Sequence, residues 1–320
     1  MKLIVNFLLI SLISYQSYSQ TSAEVLDTMI NNRLKSYGVV GFSAAIVSDK
    51  GILWSNGYGY ADREKQIPYT VNTIMNIGSI SKSITGICIM RAVQEGKVSL
   101  DEDINKYLPF RVRNEKITLR QLVAHTSSIR DRNPAYGDSA YHYHGDATEP
   151  LGHYLKDYLT AKGRFYDVAN FSKAKPGTES EYSNVGAGLA GFVVECATGE
   201  KLNVYSKKFL FGPLGLGSTG WFLSDIDTSR HSRLYRLKGG TLTNIPFYGL
   251  VTYPDGGVRT TVTELSKILL CIINEGKGND KQILKPEIAK ELWHPIFTAS
   301  NKPRNDNYDI SNFNEGGSST

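Results

Sequence analysis

Two short stretches of the chain bring together side chains that can generate a nucleophile and move its proton. The first is Ser79-Ile80-Ser81-Lys82, within GSISKSITG; the second is Tyr182-Ser183-Asn184. On a helix, positions i and i+3 share a face, so the Lys82 ammonium can reach the Ser79 oxygen. A serine hydroxyl is a poor nucleophile until a base takes its proton. Lysine, with a free pKa of about 10.4, becomes such a base only when desolvated or set near other positive potential. The N-terminus of a helix running into the interior supplies both conditions, through its dipole and through apolar neighbours such as ICIM. Tyr182 can relay a proton to a leaving group, and Asn184 can hold a substrate carbonyl or steady Lys82. Each motif alone also fits a plain structural role: an N-cap serine before a solvated lysine, and a core tyrosine beside an N-cap asparagine. A second S-x-x-K, Ser172 to Lys175, falls in a polar loop before Pro176 with no helix to align it, and is read as a decoy.

The surrounding elements follow from periodicity. Residues 23–36 place Val25, Leu26, Met29, Ile30 and Leu34 at helical spacing. FSAAIVS, the turn Asp49-Lys50-Gly51 and ILWSNGYGYAD read as a β-hairpin, which suggests an antiparallel sheet with a helix on its face. From Asn76 to about 250 the signals are mostly helical. Thr118 caps TLRQLVAH, and Asn184–Thr198 is apolar almost all round, as a buried helix would be. Thr261 and Glu264 have capping-box spacing ahead of Leu265, Ile268, Leu269 and Ile272. Segment 130–175 reads as long, aromatic and irregular, and the last twenty residues show no periodicity.

Composition narrows the function. At 41% hydrophobic and 21% charged, the chain is globular. A formal charge of +5, dispersed along the sequence, lacks the clustered stripe of a nucleic-acid binder. Residues 1–19 carry Lys2, an apolar run from Leu3 to Ile13 and small residues before Gln20, the pattern of a cleaved secretory signal. That run falls short of the roughly 20 apolar residues a membrane span needs, so no stable membrane anchor is expected. Three cysteines, Cys88, Cys196 and Cys271, all in apolar helical patterns, are no disulfide framework and no thiol nucleophile. His142, Tyr143 and His144 lack a second pair of ligands, so neither a metal nor another cofactor is expected.

Taken together, the chain resembles the serine β-lactamase and penicillin-binding-protein superfamily, in its class C β-lactamase-like branch. The resemblance runs from about Gly41 to Gly278. Beyond the two motifs it rests on SLDEDINKYLP, ITLRQLVAHTSSI, PGTESEYSNVGAGLAGFVVECATG, FGPLGLGST and YPDGGVRTTVTELSKIL, in family order. It implies an α+β, β-lactamase/transpeptidase-like fold: a sheet subdomain of 20–75 and 250–320, and a mainly helical one of 76–249. It also implies a secreted or periplasmic serine hydrolase acting through an acyl-enzyme, with Ser79 acylated, Lys82 its base, Tyr182 the proton relay and Asn184 the amide ligand. His125, in the family's H-T-S-G element with Ser128 in place of glycine, is read as structural. The substrate would be a β-lactam, a D-amino-acid peptide of the kind found in peptidoglycan, or a small ester. The family's third motif, a Lys- or His-led tripeptide on a strand beside the serine, does not follow YPDGGVRTT. The expectation is therefore a chain lacking the last strands. A non-catalytic penicillin- or muropeptide-binding module, or an inactive truncated chain, is the alternative.

Overall fold

The computed structural model describes residues 22–133, 135–298 and 302–304. The stretch read as a secretory signal and the aperiodic tail beyond 304 lie outside the described residues. Helix α1 (Ser22–Tyr37) leads into strands β1 (Gly41–Ser48) and β2 (Gly51–Asp62). These pair antiparallel from Gly41↔Gly59 to Ser48↔Gly51, as the alternating sequence and its turn require, with an irregularity at Ile46/Val47. Strand β3 (Ile67–Pro68) adds to β2. On α1, Asp27 accepts hydrogen bonds from Tyr58 Oη and Asn56 Nδ2 of β2, which ties the helix to the hairpin.

Next in the chain come β4 (Met75–Asn76), α2 (Ser81–Gln94) and α3 (Leu119–Val123). Thr118 caps α3 reciprocally: its hydroxyl accepts from Gln121 N at 3.2 Å while Gln121 Oε1 accepts from Thr118 N at 3.0 Å. The segment expected to be irregular is partly regular. It holds β5 (Tyr141–Tyr143) and α4 (Leu151–Leu159), whose Leu151, Tyr154, Leu155 and Tyr158 are buried at i, i+3, i+4 and i+7. Helix α5 (Asn184–Thr198) follows, then the ribbon β6 (Leu234–Lys238) and β7 (Thr241–Ile245). Strand β8 (Tyr248–Leu250) pairs with β5, and β9 (Arg259–Thr260) pairs with β4.

The last long helix is α6 (Val262–Ile273), which packs on β1 and so covers the hairpin face. The capping box expected at its start is only half formed. Thr261 accepts from Glu264 N, but the Glu264 carboxylate turns away to accept from Ser218 N at 3.0 Å and Thr219 Oγ1 at 2.6 Å. A buried carboxylate gains more from two donors on a neighbouring loop than from one on its own cap.

The core is centred on α2 and α5, which pack against each other. Val185, Leu189, Val193 and Val194 of α5 are fully buried, as are Ile84, Ile87, Cys88 and Ile89 of α2. Burying such side chains is worth about 1.5–3 kcal/mol each, whereas each α5 glycine costs about 1 kcal/mol of helix propensity. Packing therefore wins, and one glycine serves it directly. A Cβ on Gly191 would sit 2.5 Å from Pro254 Cβ, so only glycine lets the 252–255 segment lie against the helix.

Candidate active site

Ser79 sits in a single 3₁₀ turn, Gly78–Ile80, that runs straight into α2. The turn is fixed from both sides. Gly78, at φ +52°, donates its N–H to Asn76 Oδ1 at 2.8 Å, and Asn76 Nδ2 donates to Gly256 O at 3.1 Å. Within α2, Ser81 is fully buried and its Oγ accepts from Val258 N at 3.0 Å. The two serines thus separate by role, with Ser81 structural and Ser79 open to solvent.

The four residues singled out in the sequence meet at one point. Ser79 Oγ lies 2.7 Å from Tyr182 Oη and 3.2 Å from Lys82 Nζ. Lys82 Nζ also donates to Asn184 Oδ1 at 2.7 Å and to Asp255 O at 2.8 Å, and it lies 4.9 Å from the Tyr182 ring centroid. The latter two acceptors cannot donate, so they occupy two of the amine's hydrogens and leave its third position facing Ser79. The decoy motif makes no such group. Ser172 Oγ accepts from Ala174 N, and it shares no hydrogen bond with Lys175 Nζ among the described residues.

Three further residues hold the group in place. Asp131 spans the start of α5. Its carboxylate accepts from Ser183 Oγ at 3.0 Å, Asn184 N at 2.8 Å and Val185 N at 3.0 Å, where the helix dipole also favours an anion. His125 lies against Tyr182 with ring centroids 4.4 Å apart and accepts from Ser183 N through Nδ1 at 3.2 Å. Burial, helped by the Lys82 charge, lowers the His125 pKa to about 4, so the ring is neutral and able to accept. His125 sits at φ +55° in the turn and its ring packs against Tyr182. Asp255 is buried below Lys82, and its Oδ2 accepts from Tyr136 Oη at 3.0 Å. Burial raises its carboxyl pKa to about 7, against the pull of the nearby Lys82. Sequence reasoning missed Asp131, Asp255 and Tyr136, because their partners lie roughly 50 to 120 residues away; only the charge of a lone Asp inside PDGG offered a hint.

The remaining candidates stay out of the site. Cys88 and Cys271 are buried and Cys196 is half-buried; burial raises all three thiols, to about 11 for Cys196 and Cys271, which keeps them protonated. Glu149, His153 and Asp157 bring ligand atoms within 4.8 Å of one another, but the Arg164 guanidinium already bonds Glu149 and Asp157 and offsets the charge that a cation would need. His142 and His144 belong to no such cluster among the described residues.

The family model described as Beta-lactamase matches residues 26–309. The chain belongs to the beta-lactamase family. This is the serine β-lactamase and penicillin-binding-protein superfamily, with its α+β, β-lactamase/transpeptidase-like fold. Protein flp of Staphylococcus aureus (strain MRSA252) is 29% identical over 257 residues, an overlap covering 76% of this chain and 47% of that protein. The octameric penicillin-binding protein homologue from Pyrococcus abyssi superposes with a TM-score of 0.66 at 27% identity, covering 84% of this chain and 59% of that one. The class C beta lactamase from Rhodobacter sphaeroides superposes with a TM-score of 0.63 at 22% identity, covering 83% and 68%, and supports the fold. The chain spans about half the length of the curated relatives it matches. No helix among the described residues is long and apolar enough to cross a membrane.

Proposed function

We propose that the protein is a serine hydrolase that works through an acyl-enzyme on Ser79. The observation that carries this reading is the convergence of Lys82 Nζ and Tyr182 Oη on one serine oxygen, at 3.2 and 2.7 Å. In the neutral amine, with two hydrogens directed at Asn184 Oδ1 and Asp255 O, the lone pair faces Ser79. Lys82 then takes the Ser79 proton as Oγ attacks the substrate carbonyl. The proton passes through Tyr182 to the leaving group, and the acyl–Ser79 ester forms as the scissile bond breaks. Water, losing its proton along the same path, releases the acid and restores the serine. Ser79's own backbone N–H, in the 3₁₀ turn that leads into α2, is a donor to the developing oxyanion.

Asn184 acts twice in this scheme, since it orients Lys82 and lies at the helix end beside the substrate carbonyl. The substrate is a carbonyl compound with an activated or peptide leaving group: a β-lactam, a D-amino-acid peptide or a small ester. Residues 1–19, read as an export signal, put the site of action in the periplasm or outside the cell. The sheet elements on either side of 76–249 would form one wall of the cleft, and the helical layer the other.

A fluorophosphonate or fluorescent penicillin probe tests this reading. Labelling should map by mass spectrometry to Ser79, and Ser79→Ala and Lys82→Met should each abolish it. Tyr182→Phe should lower turnover by about 10²-fold, the usual scale for a lost proton relay. An adduct on Ser172, or undiminished labelling of Ser79→Ala, would remove Ser79 from the mechanism.

A further inference from the structure

Beneath the Lys82 amine lies a carboxyl group that the reaction scheme leaves unused. Asp255 is only 2% exposed, in the turn Tyr253–Asp255 that packs against both α2 and α5. The turn is held fast. Thr85 Oγ1 of α2 donates to Pro254 O at 2.7 Å, and Pro254 rests on Gly191 of α5. Lys82 Nζ donates to the backbone oxygen of Asp255 itself at 2.8 Å, so amine and carboxyl are separated by little more than the span of one aspartyl residue. Asp255 Oδ2 accepts from Tyr136 Oη at 3.0 Å, and no ion pair engages the carboxyl among the described residues. A buried carboxylate without a bonded cation costs stability, and an asparagine would fill the same space. Packing alone gives no reason for an acid here.

Other ionisable groups face the pair as well. Lys82, on α2, favours the Asp255 carboxylate, and the Asp131 charge opposes it. The phenols of Tyr136, Tyr141, Tyr154 and Tyr248 also act on it, but burial raises all four and keeps them neutral. The Thr252 hydroxyl, fully buried, does not titrate. The remaining charges on the two helices are engaged elsewhere. Arg91 bonds Glu95 and Ile283 O, and Glu195 accepts from Lys201 Nζ, Leu202 N and Tyr253 Oη. Lys82 itself faces Tyr182 and His125, whose ring is neutral above pH about 4. At Asp255 burial outweighs the Lys82 charge and lifts the carboxyl to about 7.

Two ionisable groups this close titrate as a pair. With one proton between them, the pair exists in two forms: Lys82 ammonium with Asp255 carboxylate, or Lys82 amine with Asp255 carboxylic acid. The second form carries the free lone pair that faces Ser79. Both forms hold the same number of protons, so their ratio does not change with pH. No proton need pass directly between the groups, because each equilibrates with solvent.

We propose that Asp255 is a positioning residue for the Lys82 proton, taking up at neutral pH and above the proton that the amine must lack to act as base. The inference rests on the acyl-enzyme reading, and two measurements separate its failure from the failure of that reading. The first follows kcat/KM for p-nitrophenyl acetate from about pH 5 to 9, which reports the ionisations of the free enzyme. The wild-type profile should rise, break as the carboxyl titrates, and then run flat. Asp255→Asn keeps the side-chain shape and an acceptor for Tyr136 but cannot titrate, so its profile should climb through the break. The ratio of variant to wild type should grow about tenfold per pH unit above it. In Tyr136→Phe, which loses the donor to the charged form, the break should move up by about half a pH unit or more. A ratio that stays constant with pH, whatever its level, overturns the proposal, because a purely structural loss scales the whole curve. A break that Tyr136→Phe leaves unmoved overturns it too.

The second measurement needs no acylation. In Ser79→Ala protein carrying carbon-13-labelled aspartate, the Asp255 carboxyl resonance is identified by its loss in Asp255→Asn. Its titration should move up by about one pH unit when Lys82→Met removes the ammonium. If Ser79 proves not to be acylated while this titration answers to Lys82, the pair stands and the catalytic reading falls. If acylation stands and the titration ignores Lys82, the pair falls alone.

Discussion

Helix α5 and the β1–β2 hairpin are the two ends of the packing range in this protein. Eleven consecutive residues of α5, Val185 to Glu195, are buried, and Gly191 lets Pro254 rest directly on the helix. The hairpin has α6 on one side, yet Phe42, Ile46, Ile52 and Leu53 are exposed, and the outer edge of β1 is unpaired among the described residues. The proposed chemistry sits on the tight end. A proton relay needs oxygen and nitrogen atoms held within a few tenths of an ångström, and only close-packed helices with satisfied caps do that. The hairpin frames the fold without setting any of the distances around Ser79. Mutations at the two ends should accordingly differ in kind, with geometry failing at one and little changing at the other.

The largest effect is expected at Asp131. Replacing it with alanine strips three acceptor contacts from Ser183, Asn184 and Val185, and leaves the α5 N-terminus without its anion. Each deprived donor costs about 1 kcal/mol or more, so a loss of about 3 kcal/mol in denaturant stability is expected. Ester turnover should drop by about 10²-fold, with kcat falling more than KM rises, because Tyr182 and Asn184 shift together. Gly191→Ala comes next. The new methyl overlaps Pro254, which costs about 1–3 kcal/mol of overpacking. It also pushes back the Asp255 carbonyl that Lys82 uses, so acylation should slow about tenfold. Normal kinetics in a destabilised Gly191→Ala protein would break the link between packing and chemistry drawn here.

A milder effect concerns pH. Burial holds His125 and His231 near a pKa of about 4 against 6.5 when unfolded, so the unfolded chain binds more protons between those values. Stability from both histidines is therefore lost as pH falls from 6.5 towards 4. Asp255 acts oppositely. Raised from 3.8 to about 7, it binds a proton in the native state, and its contribution is lost as pH rises through that window. Two histidines outweigh one carboxyl, so the melting temperature should climb from pH 4 to about 6.5 and then level. In Asp255→Asn the climb should steepen. A melting temperature that falls across this range would contradict the burial assigned to the histidines.

Much of this arrangement was legible in the sequence, and the part that was not has a common cause. The helix α1, the hairpin with its Asp49–Gly51 turn, the Thr118 cap and the buried α5 all follow from local periodicity and capping chemistry, which act over a few residues. So did the meeting of Ser79, Lys82, Tyr182 and Asn184, through two motifs and an ordered series of family segments. Helix α4 carries an i, i+3, i+4, i+7 pattern, Leu151, Tyr154, Leu155 and Tyr158, but the aromatic and irregular sequence on both sides masks it. The supports of the site were not legible. Asp131 on α5, Tyr136 on Asp255 and Glu264 on Ser218 each join segments distant in the chain, and no spacing rule encodes such partners. The β5–β8 pairing likewise joins segments about 107 residues apart, in a register that only the folded chain supplies.

The smallest effect, and the sharpest check on the comparison, belongs to Leu53. It is 66% exposed on β2, so replacing it with threonine removes little buried apolar area and puts a β-branched residue, which strands favour, in its place. Substitutions of this kind usually stay within about 0.5 kcal/mol, and kcat/KM for a p-nitrophenyl ester should stay within twofold. Denaturant midpoints and ester kinetics on Leu53→Thr measure both. A loss above about 1 kcal/mol would mean that Leu53 is covered in solution, since only a contacted side chain can lose that much on truncation. The hairpin would then be a packed layer like α5, and the contrast between the two regions would belong to the isolated fold and not to the working protein.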